Sequence, residues 1–184
     1  FEAYRHYSQL FKAAVRAIAP NVEDRGIDEI YVDLSDNSEE TRSLAQRIKD
    51  AVFTATGLSC SIGVTPNKLL SKIASDLEKP NGLTILSLDD VPIRIWPLAA
   101  KKVNGIGPKA SERLERHGIR TIGELAATPQ EFLIRKFGRS TGLWMHRIAY
   151  GIDDRPVVTE SEPKSISRET TFERDLHPRA DRDL

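Results

Sequence analysis

The stretch from Gly26 to Asp36, GIDEIYVDLSD, sets two carboxylates, Asp28 and Glu29, side by side in a run of alternating apolar residues. Neighbouring side chains of a regular strand point to opposite faces. The pair is therefore either indifferent surface charge or a site where alternation lapses in a tight turn or bulge. The second arrangement is expected here, joining a stretch at Val22–Ile27 to one at Ile30–Leu34. Carboxylates about 4 Å apart repel by about 4 kcal/mol at an effective dielectric near 20. A proton on one or a cation shared by both removes that cost. Magnesium takes a few carboxylate oxygens and completes its shell with water and phosphate oxygens, which suits an open acidic pair. Asp33 shares the parity of Tyr31 and is read as support lining the same face, outside the ligand set.

Two further stretches offer phosphate chemistry. Lys79-Pro80-Asn81-Gly82 is a strong turn signal, and its lysine is a compact charge that can reach a phosphate. Taken alone, such a lysine is more often simply solvated. Pro97–Leu114 reads PLAAKKVNGIGPKASERL. Gly105 and Gly107 permit a tight turn and close approach of a phosphate, and Pro108 suits the first position of a new helix. The free N–H groups and dipole of that helix favour an anion. Lys109 and Ser111 add side-chain contacts, and Lys101 and Lys102 add charge. Contacts of this kind position a duplex without reading its bases. A plain glycine turn between packed helices is the bland alternative. Charge favours DNA: the whole chain balances 27 basic against 27 acidic residues, yet residues 89–150 hold 11 basic and 6 acidic, net +5. A second glycine turn follows at His117–Ile122.

The elements that must position these groups follow from periodicity. Tyr4, Tyr7, Phe11, Ala14, Val15 and Ile18 mark a helix ended by Pro20. Ile30–Leu34 alternates as a half-buried strand. A helix runs from about Ser38, its expected N-cap, to Gly57. A strand at Leu58–Val64, a helix at Asn67–Leu77 and a strand at Leu83–Leu86 complete an α-β-β-α-β-α-β order. That order is α+β: an incomplete ferredoxin-like unit, with an antiparallel sheet and helices on one face. Residues 89–150 read as all-helical, Gly151–Pro163 as a linker, Ser165–Phe172 as one more strand and the last eight residues as a frayed tail. No apolar run approaches the roughly 18 residues of a membrane helix. A lone cysteine, Cys60, excludes an internal disulfide framework and fits the reducing cytoplasm.

Taken together, Asp28-Glu29-Ile30-Tyr31, Ser61-Ile62-Gly63, Asn67-Lys68, Lys72-Ile73-Ala74-Ser75-Asp76, Lys79-Pro80-Asn81-Gly82, Gly105-Ile106-Gly107 and Lys164-Ser165-Ile166-Ser167 resemble the Y-family translesion DNA polymerases, nearest the bacterial DNA polymerase IV branch. The match runs in order and with family spacing over nearly the whole chain. It implies a partial palm at 1–88, a helix-hairpin-helix thumb at 89–156, and a linker with the start of the little finger at 157–184. Asp28 and Glu29 match the catalytic carboxylates that hold two magnesium ions, and Lys79 matches the lysine on the incoming triphosphate. Lys101, Lys102, Gly105, Gly107, Lys109, Ser111, Lys164 and Ser165 fall where the family grips DNA. The implied partners are primer–template DNA, a deoxynucleoside triphosphate and a sliding clamp bound through a region absent here, with no membrane. Gly26 replaces the family's usual serine. The family's first palm strand with its own metal-binding aspartate, the fingers and most of the little finger are not in the sequence, so the expectation is a polymerase fragment inactive by itself. The alternative is a non-catalytic paralogue that binds DNA as an accessory protein.

Overall fold

In the computed structural model the residues described are 1–160, 165–167, 169 and 171–175. Helix α1 (Glu2–Arg16) leads to a hairpin of β1 (Val22–Asp24) and β2 (Ile30–Val32). Then come α2 (Thr41–Thr56), β3 (Ile62–Val64), α3 (Lys68–Leu77) and β4 (Leu83–Ile85). The predicted order of elements is present. Their edges differ for local reasons. Helix α2 begins at Thr41, because the Glu40 carboxylate, rather than Ser38, accepts from the free N–H groups of Arg42 and Ser43.

Two features of the expected sheet are corrected. The strands form two separate pairs, β1–β2 antiparallel and β3–β4 parallel, in place of one antiparallel sheet. The parallel pair follows from its connection, since α3 is the crossover that a parallel strand pair requires. Nor do the helices share one face. Val15, Leu44, Ile48 and Val52 of α1 and α2 pack against Ile30, Val32 and Ile62. Helix α3 lies on the opposite face of β3, against Gly63. A Cβ there would sit 2.4 Å from Ser71 O and 2.6 Å from Ser75 N, so the missing side chain is what admits the helix.

After β4, a 3-10 turn (Leu88–Asp90), a π-helical turn (Val91–Ile95) and another 3-10 turn (Ala100–Lys102) lead into α4 (Pro108–Glu115), α5 (Ile122–Ala127), α6 (Gln130–Phe137) and α7 (Arg139–Ala149). The apolar core of these helices is continuous with α3: Leu69, Leu70 and Ile73 belong to the same cluster as Leu114, Ile122, Leu125, Leu133, Met145 and Ile148. The segment after α7 then returns across the N-terminus of α3. Gly151 O accepts from Asn67 Nδ2 at 2.7 Å, and the Asp153 carboxylate accepts from Leu69 N at 3.0 Å. The strand expected at Ser165–Phe172 is not seen: the described residues within it carry no strand pairing. Among the described residues no helix is long and apolar enough to cross a membrane.

Candidate active site and nucleic-acid interface

The β1–β2 connection is fixed from below. Lys12 Nζ reaches both Asp24 oxygens at 2.9 and 2.8 Å and Gly26 O at 2.5 Å. The Lys12 ammonium, with Gly26 N beside it, holds the Asp24 carboxyl below its ordinary range. Arg25 N donates to Glu29 O at 3.1 Å and closes the turn. Asp28 lies within this turn and Glu29 at its exit, so the two carboxylates sit where strand alternation has lapsed. From Glu29 onward alternation resumes. Glu29 and Tyr31 share a face with Glu23, which pairs with Tyr31 across the hairpin. Asp33 accepts from Ser35 N at 2.9 Å, and the Ser35 contacts hold its carboxyl low.

Helix α3 brings a row of charge to this face. Lys68, Lys72 and Asp76 recur every four residues and so line one side of the helix, and Lys79, in the turn just past its end, joins them through Asp76. Lys68 Nζ donates to Glu23 Oε2 at 2.7 Å and lies 5.5 Å from the centre of the Tyr31 ring. Lys72 is ion-paired to Glu29 and stands 3.9 Å from Asp76 Oδ2, and Lys79 Nζ meets Asp76 Oδ1 at 2.6 Å. Burial pushes the Lys72 pKa down, but Glu29 and Asp76 more than offset it and leave it raised. At Asp76 burial acts upward and is outweighed by Lys79 and Lys72, with a further pull from Lys102, so its carboxyl titrates low. Asp28 has no hydrogen bond or ion pair among the described residues, and no three His, Cys, Asp or Glu side chains gather there as a metal-binding group.

Asp28, Glu29, Lys72 and Lys79 all open onto one cleft of about 830 Å³ between β2 and β3. Its floor is apolar, formed by Val15, Ile48 and Val52. The inner strands β2 and β3 are half-buried throughout, whereas β1, on the outside, buries two of its three residues.

The other expected phosphate contacts lie on the helical half. Lys101, Lys102, Gly105, Gly107 and Lys109 are exposed. Gly105 adopts φ 107°, and its open α-carbon faces Trp144, whose ring carbons would lie 2.8 Å from a Cβ. Gly107 is extended and hands the chain to Pro108, and no side chain caps α4. The element before the glycines is a single 3-10 turn rather than a helix. Ser111 is buried rather than open to solvent, and its Oγ donates to Glu115, one turn further along α4, at 3.2 Å. Ser165 is exposed, and Lys164 lies outside the described residues. The sequence reading missed Glu23, Lys68, Lys72 and Asp76. The signal was present in the four-residue recurrence Lys68–Lys72–Asp76, which places charge along a helix whose other side is apolar.

The α+β unit with its acidic turn and lysine row is thus followed by a basic helical unit with a glycine hairpin. Residues 1–76 match the impB/mucB/samB family and residues 101–153 match the DNA polymerase-iota thumb domain. The chain belongs to this family, the Y family of DNA polymerases. It is 35% identical to the DNA polymerase IV of Streptomyces coelicolor over 97% of its own length and 38% of the relative's. It is 43% identical to that of Methanoculleus marisnigri, over 94% of this chain and 48% of the relative. With that of Moorella thermoacetica it shares 38% identity over 95% and 44%. The chain thus spans half the length or less of these curated relatives.

Proposed function

We propose that this chain is the palm and thumb portion of a DNA polymerase IV-like enzyme that extends a primer past damaged template bases in the cytoplasm. The observation that carries the proposal is the acidic turn meeting the lysine row of α3 at one cleft, on the chain that also bears the basic glycine hairpin. In this reading Lys79 meets the triphosphate of the incoming nucleotide. Lys101, Lys102 and Lys109, with the N-terminus of α4, hold the phosphates of the primer–template. Asp28 and Glu29 match magnesium in donor type, and two such ions, when bound, would stabilise the entering and departing oxygens of the transfer. In number the donors fall short, since Glu29 already carries Lys72 and no third carboxylate joins the pair among the described residues.

The cleft itself supports an incomplete ferredoxin-like palm. The bonds Asp33 N to Asn21 O and Arg25 N to Glu29 O fix which residues of β2 face β1. Antiparallel alternation then directs the N–H and C=O of Ile30 and Val32 away from β1, toward the cleft. A further extended segment lying between β2 and β3 would complete one continuous sheet and cover the apolar floor.

The test mixes the 184-residue chain with primer–template DNA, magnesium and nucleotides. Duplex binding without primer extension is expected, and extension by the chain alone would refute the incomplete site. In a polymerase containing this chain, Asp28→Ala abolishes extension and spares DNA binding; full activity would remove Asp28 from the site. The shortfall in donors favours one other reading, a non-catalytic accessory DNA-binding protein. Normal DNA binding with no primer extension by the unmutated full-length protein would support it.

A further inference from the structure

The charges beside the cleft form an unbroken alternating chain: Glu29, Lys72, Asp76, Lys79. Their arrangement is unequal. Lys72 is bonded to Glu29 and lies 3.9 Å from Asp76 Oδ2, just beyond hydrogen-bond reach. Lys79 holds the other Asp76 oxygen, Oδ1, at 2.6 Å. Exposure is unequal too: the Lys72 side chain is 23% exposed and that of Lys79 is 57%. A half-buried ammonium that loses one carboxylate is held by the next one, because an unpaired charge away from water is costly. An exposed lysine leaves its partner at little cost, since such pairs contribute about 0–1 kcal/mol.

We propose that Lys72 and Asp76 form an exchange pair that decides whether Lys79 is free to take a phosphate. While Glu29 holds Lys72, Asp76 holds Lys79. When Glu29 is engaged by another cation, Lys72 moves the short distance onto Asp76 and Lys79 is released toward the cleft. Glu29 is thereby linked to a site two ion pairs away, and the linkage is reciprocal: a polyphosphate that captures Lys79 leaves Asp76 open to Lys72 and uncovers Glu29. The ligand class is a linear polyphosphate such as the tail of a nucleoside triphosphate. The inference deepens the proposed phosphate role of Lys79 and rests on it.

The exchange can be tested without metal. Inorganic tripolyphosphate is titrated calorimetrically into the 184-residue chain in chelator-containing buffer. Glu29→Gln frees Lys72, whereas Asp28→Asn removes the same charge from the same turn without touching a lysine. Affinity is expected to rise about fivefold in Glu29→Gln, at the low end for coupled sites, and less than about twofold in Asp28→Asn. In an Asp76→Asn background, Glu29→Gln should add no more than Asp28→Asn does. Equal gains from Glu29→Gln and Asp28→Asn, or a Glu29→Gln gain undiminished by Asp76→Asn, would overturn the exchange. Lys79→Ala separates the two levels of the argument. If it weakens binding, the phosphate role stands and the exchange is judged on the other variants. If it leaves binding unchanged, the phosphate role of Lys79 itself fails. Circular dichroism of each variant confirms the fold, and these surface substitutions leave it intact.

Discussion

Glu23→Ala should be the most costly single truncation on the charged face. Glu23 is 6% exposed, and its Oε2 accepts from Lys68 Nζ at 2.7 Å and from Val158 N at 2.8 Å. Its Oε1 lies 3.6 Å from Arg25. Removing the carboxylate strands the Lys68 ammonium, itself only 10% exposed, over the Tyr31 ring and leaves Val158 N without its acceptor. Breaking a buried pair from one side costs about 3–5 kcal/mol. The shallow position beside the exposed Arg25 argues for about 3 kcal/mol. With a urea m-value of about 2 kcal/mol/M, the denaturation midpoint falls by about 1.5 M. Adding Lys68→Met to a Glu23→Leu chain should restore most of the loss, because the stranded charge is then gone. Dependence on pH gives an independent reading. Burial alone would raise the Glu23 pKa, but Lys68, Val158 N and Arg25 outweigh it and lower it from 4.5. A carboxyl lowered in the folded state contributes in full above its unfolded pKa and loses that contribution as pH falls through the folded value. The stability gap between wild type and Glu23→Gln should therefore be constant near neutral pH and narrow below about pH 4.5. A Glu23→Ala midpoint within 0.25 M of wild type, about 0.5 kcal/mol at that m-value, would refute the reasoning that the Glu23 carboxylate ties α3 and the segment at Val158 to the hairpin.

Two other outcomes are expected. Gly63→Ala should destabilise by about 1–3 kcal/mol, since its Cβ would meet backbone atoms of α3 that cannot rotate away; an unchanged thermal midpoint would show that α3 does not press on β3 as described. Binding of duplex DNA should weaken steeply with salt, and Lys101→Ala, Lys102→Ala and Lys109→Ala should each reduce the slope of log K against log salt by about one. A slope that none of them alters would exclude the glycine hairpin as the DNA contact.

Local signals were legible in the sequence and pairing between distant elements was not. The helical period of Phe11, Val15 and Ile18, and Gly57 closing α2, led directly to α1 and α2. Neighbouring carboxylates at Asp28 and Glu29 predicted a lapse of alternation, and they lie in the hairpin connection. What could not be read was which edge meets which: the parallel pairing of β3 with β4 depends on how α3 packs, and that depends on the bare backbone of Gly63. Ser111 looked like an open contact because its position in the motif says nothing of which way the helix turns it. Lys68 and Glu23 are 45 residues apart, so no local pattern announces their bond. The Lys72–Glu29 pair was equally hidden, although the family motif contains both residues.

The core shared by α3 and the helices after β4 has a practical consequence. In chain order the α+β elements end at β4, but the apolar interior divides earlier, between α2 and α3. Leu69, Leu70 and Ile73 pack with the helices after β4, whereas Leu44, Ile48 and Val52 pack with α1 and the hairpin. The modules that can be exchanged between relatives are therefore not the ones that chain order marks off. A chimera that swaps residues 89–150 alone would press a foreign helical bundle onto the native α3. One that carries α3 with it would move an intact hydrophobic unit, together with the lysine row that faces the acidic turn.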